Sequence, residues 1–132
     1  MIAKEAVVFK NLKVYEVAID LAVLIYKITE VFPDSERFGL VSQMRRAAVS
    51  VSSNIAEGAG RGSYREQLRF YFIARGSLAE LETQLEISFR LGFIDRRMQA
   101  ETSFVYKLLN GLIRSTKKQE LEQSTATDIP NI

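Results

Sequence analysis

Seven arginines lie between positions 37 and 75 (Arg37, Arg45, Arg46, Arg61, Arg65, Arg69 and Arg75), accompanied by two carboxylates, Glu57 and Glu66. Arg61, Arg65 and Arg69 recur every fourth residue, so on a helix Arg65 and Arg69 share a face, and Arg61 joins them if the helix reaches that far back. Like charges at this spacing disfavour a helix by ~0.2–0.5 kcal/mol per pair unless an anion lies between them. A phosphate backbone is one such anion, and contacts of that kind weaken steeply with salt. Arg45 and Arg46 add to the surplus on the preceding segment, which makes Arg45, Arg46, Arg61, Arg65 and Arg69 the candidate contacts to RNA or DNA. The other source of counter-charge is Glu80, Glu82 or Glu86, in the same chain or in a second copy. The residues leave both open. Tyr64 and Tyr71 could stack on bases, although aromatics at helical spacing also fit a core.

Other chemistry is scarce. The chain has no His and no Cys, which removes Ser-His-Asp and Cys-His nucleophiles, zinc sites with nitrogen or sulfur ligands, disulfides and the Glu-x-x-His di-iron pair. Gly58-Ala59-Gly60-Arg61-Gly62 leads into a helix start and could cradle a phosphate on its backbone N–H groups. It matches no nucleotide-binding motif, and it reads equally as a tight interhelical turn. Glu82 and Glu86 are paired carboxylates without further inward ligands, and Ser50, Ser52 and Ser53 have no base beside them. The expectation is a protein that is not an enzyme and carries no cofactor or metal.

Helical periodicity must position these groups. With 132 residues and 47% hydrophobic content, the chain is one domain able to bury a core. Asn11 can cap a first helix, with apolar stripes Leu12, Tyr15, Ile19, Ala22, Tyr26 and Val14, Ala18, Leu21, Ile25, Ile28, Phe32, ended by Pro33. A second helix, from Phe38 or Leu40 to about Glu57, has Leu40, Met44, Ala47, Val51 and Ile55 inside and small residues elsewhere, so it must be sandwiched between neighbours. The glycine-rich turn follows. Ser63-Tyr64-Arg65-Glu66 is a capping box opening a third helix that runs to about Leu91, where Gly92 supplies a left-handed stop. Asp95 caps a fourth, whose pattern fades near Lys118. The organisation is therefore an N-terminal extension over 1–10, an all-α, antiparallel up-down-up-down four-helix bundle over 11–118, and a disordered acidic tail over 119–132.

The third helix is apolar on more than one face. Leu68, Tyr71, Phe72, Leu78, Leu85 and Phe89 form one stripe, while Phe70, Ile73, Ala74, Leu81 and Ile87 point elsewhere. Large exposed apolar patches are uncommon on soluble monomers. The expectation is a homo-oligomer joined through the second and third helices, with Val49, Phe70, Ile73, Ala74 and Leu81 at the interface. Val14 to Phe32 is interrupted by Glu16, Asp20, Lys27 and Glu30 and fails as a membrane span, and no signal peptide opens the chain, which points to the cytoplasm and no membrane partner.

Phe38-Gly39-Leu40-Val41-Ser42-Gln43-Met44-Arg45-Arg46-Ala47-Ala48-Val49-Ser50, followed by Ser53-Asn54-Ile55-Ala56-Glu57-Gly58 and Gly60-Arg61, resembles the four-helix-bundle proteins encoded within 23S rRNA intervening sequences, some of them labelled ribosomal proteins. Phe9 to Tyr15 and Ala74 to Leu85 are similar to that family too, so the resemblance covers about residues 9 to 115. Ala59 departs from it, where a bulkier residue is expected. The resemblance implies an antiparallel bundle assembled as a ring-shaped homopentamer. The accessory proteins of diversity-generating retroelements are similar in fold, and they are basic pentamers that associate with nucleic acid and a reverse transcriptase. That likeness favours RNA as the occupant of the surface; the alternative is a protein-interaction ring that docks a partner such as a reverse transcriptase or ribosomal component, with the arginines in inter-subunit ion pairs.

Overall fold

A computed structural model describes residues 8–127. Four long helices carry the chain: α1 (Lys13–Thr29), α2 (Leu40–Ala59), α3 (Tyr64–Arg90) and α4 (Gln99–Thr127). Short 3-10 turns at Phe9–Asn11, Asp34–Glu36 and Arg96–Met98 precede α1, α2 and α4, and no strand occurs among the described residues. Side-chain pairs fix the directions. Ser50 meets Ser77 at 2.8 Å and Met44 meets Ser88 at 3.4 Å, so α2 descends as α3 ascends. Arg75 to Asn110 and Glu86 to Gln99 set α3 against α4 in the same antiparallel sense. α1 packs on α2 and α4, which closes the four-helix cycle.

The core repeats at helical spacing on each element: Val14, Ala18, Leu21 and Ile25 on α1; Met44, Ala48, Val51 and Ile55 on α2; Tyr71, Leu78, Leu81 and Leu85 on α3; Val105, Leu109 and Ile113 on α4. α2 is sandwiched between α1 and α3 as its small side chains require, and its largest interface is with α3. Tyr71 is fully enclosed with its hydroxyl unpartnered, and burial pushes the phenol up to about 12.

Several boundaries differ from expectation for local reasons. α1 opens at Lys13 with Leu12 as its cap residue and no side-chain cap bond, because the Phe9–Asn11 turn runs directly into it. That turn packs against α1 and α2, with the Phe9 ring edge-on to Tyr15 at 5.0 Å, so the bundle begins before residue 11. Gly39, which opens α2, has no side chain to cap with, and the Glu36 carboxylate accepts from the Leu40 N–H at 3.2 Å instead. Gly58 and Ala59 are helical rather than part of the turn, which is confined to 60–63. On α1 the first stripe contributes only Ala22 to the buried core, with Leu12 and Tyr15 packed at its edge and Ile19 and Tyr26 exposed, and the second stripe supplies most of the core. The expected tail from 119 is helical through Thr127, and its remainder, 128–132, lies outside the described residues, as do residues 1–7 of the N-terminal extension.

Candidate nucleic-acid interface

The Ser63 cap that begins α3 sets the direction of the basic cluster. Its hydroxyl accepts from the Glu66 N–H at 3.2 Å, which is one half of the capping box. The Glu66 carboxylate turns to Arg69, 3.6 Å away. Arg61 sits one turn before the helix, ion-paired with Glu57, and its backbone carbonyl accepts from the Gln67 amide at 3.1 Å. The guanidinium groups of Arg61 and Arg69 lie over the same ring, Phe70, at 4.7 and 5.2 Å from its centroid. Phe70 in turn packs on α2 where Gly58 leaves room. Arg65, between them in sequence, is exposed and has no ion-pair partner among the described residues.

Among the described residues the in-chain counter-charges of Arg61 and Arg69 are therefore Glu57 and Glu66, not Glu80, Glu82 or Glu86. Glu86 is engaged elsewhere: it accepts from Arg90 at 2.9 Å, Gln99 at 2.9 Å and Arg96 at 3.2 Å, and these bonds hold its carboxyl below the ordinary glutamate value. Exposed pairs such as Arg61–Glu57 contribute only about 0.3–0.5 kcal/mol, so a phosphate can displace them at little cost.

Arg45 and Arg46 do not join this cluster. Arg45 lies one α2 length away from Arg61, about 24 Å at ~1.5 Å per residue. It donates to the Thr29 hydroxyl at 3.0 Å and the Tyr26 carbonyl at 3.2 Å, with its guanidinium 4.5 Å from the Tyr26 ring centroid. It thereby tethers α2 to the last turn of α1. Arg46 is exposed nearby on the outer side of α2.

The residues expected at a subunit interface also separate. Ala74 and Leu81 are 0% exposed within the single chain and belong to its own core, so they have no surface to offer a second copy. Helix α3 turns Leu68, Tyr71, Ala74, Leu78, Leu81 and Leu85 inward together, which merges residues from both expected stripes. Val49 and Ile73 are exposed. Val49 stands one turn from Arg45, on the α1 flank of α2, whereas Ile73 stands one turn from Ser77, on the α2 flank of α3. Phe70 is half-buried beneath the two arginines.

Counting along the chain misses what α4 adds. Its second half carries exposed Arg114, Lys117 and Lys118, and the Lys117 ammonium lies 5.2 Å from the ring centroid of Phe72, in the first turns of α3. Residues 57–69 and 114–122 together hold six cations against four carboxylates. The opposite end of the bundle, residues 27–46 and 80–101, holds seven against eight. The spacing of Arg114, Lys117 and Lys118 on one helix was the available signal. An open cleft of about 940 Å³ runs between the first turns of α3 and the last turns of α4, lined by Tyr64, Arg65, Leu68, Phe72, Lys117 and Leu121 among others. Among the described residues no group of His, Cys, Asp and Glu could hold a metal ion, and no helix is long and apolar enough to cross a membrane.

A crystal structure from Bacteroides thetaiotaomicron VPI-5482, of a protein with unknown function from the S23 ribosomal protein family, superposes with a TM-score of 0.68 at 25% sequence identity, covering 76% of this chain and 97% of that one. No curated protein matches the chain. The 23S rRNA-intervening sequence protein model matches residues 10–117, from the turn before α1 through Lys117 of the basic end, and by that match the chain belongs to the 23S rRNA-intervening sequence protein family.

Proposed function

We propose that the protein is a non-enzymatic, oligomeric nucleic-acid-binding or scaffold protein that favours RNA, and that the basic end formed by Arg61, Arg65, Arg69 and Lys117 is its contact surface. The polarity of charge along the bundle carries this reading: the cation surplus is gathered at one end from helices distant in sequence. Among the described residues Arg65 has no carboxylate to displace, and the pairs made by Arg61 and Arg69 are exposed and weak.

Replacing Arg61, Arg65 and Arg69 by Gln weakens binding of unrelated RNA sequences alike. It also flattens the salt dependence, each lost phosphate contact removing ~0.7–0.9 from the slope of log affinity against log salt. Wild-type protein that binds neither RNA nor DNA at ~50 mM salt ends this reading.

A second reading, a self-assembling ring that docks a protein partner such as a reverse transcriptase or ribosomal component, is favoured by the exposed apolar residues on the α1–α2 side, Ile19, Val23, Tyr26 and Val49. Binding to a partner that survives nuclease treatment distinguishes it from the first. The ring-shaped pentamer belongs to this proposal as the assembly that covers those residues.

A further inference from the structure

The cleft between α3 and α4 is unlike a surface built for phosphate alone. Part of its wall is apolar and aromatic, Tyr64, Leu68 and Phe72 from α3 and Leu121 from α4, beside the polar Ser63, Gln123 and Ser124. Phe72 is 38% and Leu121 67% exposed, although both are large hydrophobic residues. Arg65 and Lys117 add positive charge to its lining, and it continues past Leu68 to Arg69 and Glu66. An occupant that satisfies both parts has a flat apolar body and a negative charge a few bonds away. We propose that this cleft binds an unpaired nucleotide of single-stranded RNA, with the base against Tyr64, Phe72 and Leu121 and its phosphate on Arg65 and Lys117. The assignment rests on the nucleic-acid reading above and narrows it from any polyanion to an unstacked strand.

Three features favour this occupant. A duplex hides the faces of its bases, so it would meet only the rim and leave the apolar walls wet, whereas a single strand offers a ring face to each aromatic wall. An acidic peptide would supply charge without a planar body for the space between Tyr64 and Leu121. Glu120, the carboxylate that lines both parts of the cleft, repels phosphate but accepts a hydrogen bond from the exocyclic amino group of adenine, cytosine or guanine. It therefore places the base, rather than the phosphate, beside Glu120 and Leu121, one turn along α4 from Lys117.

The test is a competition measurement by fluorescence anisotropy against a labelled RNA, with four unlabelled competitors compared at equal concentration of charged groups. These are a single strand of about twelve nucleotides, its duplex form, a single strand of the same length lacking bases, and polyglutamate. The single strand is expected to compete roughly tenfold better than the other three, the range that base–aromatic stacking gives. Leu121→Ala and Tyr64→Ala are expected to remove most of that preference while leaving duplex binding unchanged. Leu121 is exposed enough that its truncation leaves the fold intact, which circular dichroism verifies. Equal competition by the single strand, the duplex and the baseless strand overturns the cleft assignment and leaves the broader reading standing. So does a preference that survives Leu121→Ala and Tyr64→Ala together, and polyglutamate that competes as well as the single strand overturns the assignment too. Failure of every nucleic acid to bind at ~50 mM salt removes the reading on which it rests.

Discussion

Two glycines inside helices show how differently one residue type can be used. Gly58 is in the last turn of α2, and a Cβ placed there would lie 2.8 Å from the Tyr71 ring and 3.0 Å from both the Gln67 carbonyl oxygen and the Phe70 Cβ. The missing side chain is what lets α3 approach α2 closely at the basic end. Two of those three neighbours cannot swing away, since one is backbone and the other is a Cβ. Gly76, in the middle of α3, meets nothing within 4 Å. Gly58→Ala is therefore expected to destabilise the protein by about 1–3 kcal/mol, the usual cost of overpacking. Gly76→Ala is expected to stabilise it by about 0.5–1 kcal/mol through helix propensity alone. Urea midpoints of the two variants check the pair, and a loss of stability from Gly76→Ala would show that this face of α3 is covered by something. The sequence could show glycines near a turn, but it could not show which of them faced a neighbouring backbone. The same limit applies to Arg45. Its charge is visible in the sequence, whereas its bonds to Thr29 and the Tyr26 carbonyl exist only once α1 and α2 are placed side by side.

At the scale of elements, the junction between α3 and α4 is held by one carboxylate. Glu86, near the end of α3, accepts from Arg90 on its own helix, from Gln99 at the start of α4 and from Arg96 in the turn between them. Those bonds lower its folded-state pKa below the ordinary value of 4.5. The Arg97 side chain and backbone lower Asp95 in the same way. A carboxylate whose pKa is depressed in the folded state contributes stability above its unfolded value, and the contribution is lost as pH falls through the folded value. Glu86→Gln is expected to lower the thermal midpoint near neutrality and to leave it less sensitive to pH below about 4.5, so that the variant and the wild type converge in acid. Melting curves across that range decide it, and an unchanged acid limb would mean that the junction does not depend on this charge. Helix types, order and the Ser63, Gly92 and Asp95 signals were legible because each rests on residues within a few positions. The end of α4 was not. Past Lys118 its apolar positions thin to Leu121, and the helix is supported there by the first turns of α3, about fifty residues earlier in the chain. The arginine surplus was legible too. Its partners Glu57 and Glu66, and the lysines of α4 that enlarge it, required the antiparallel register.

Over the whole molecule, two unlike surfaces occupy different places. The basic end lies at the α2–α3 turn and the last turns of α4, whereas Ile19, Val23 and Tyr26 follow one another at helical spacing along the exposed side of α1. Arg45 ties α2 to α1 beside Tyr26, and Val49 stands one turn further along that same flank. The exposed apolar band therefore crosses from α1 to α2, away from the phosphate-binding groups proposed above. Self-association through this band would cover it and leave every copy of the basic end open, and a closed ring would gather those ends on one rim. Linked sites of that kind bind one long strand more tightly than separate subunits can, because after the first contact the rest are intramolecular. The expectation is a particle whose mass is a multiple of 15.0 kDa. Val23→Arg combined with Val49→Arg should reduce it to single subunits with helicity unchanged, since both positions are exposed. The same variant should lose affinity for a long RNA while keeping that for a strand short enough to touch one subunit, although it gains positive charge. Light scattering and paired titrations with long and short RNA read both effects. Wild-type protein that sediments as a single subunit, or a dispersed variant that holds long RNA as tightly as before, would separate the basic end from any assembly and leave it to act alone.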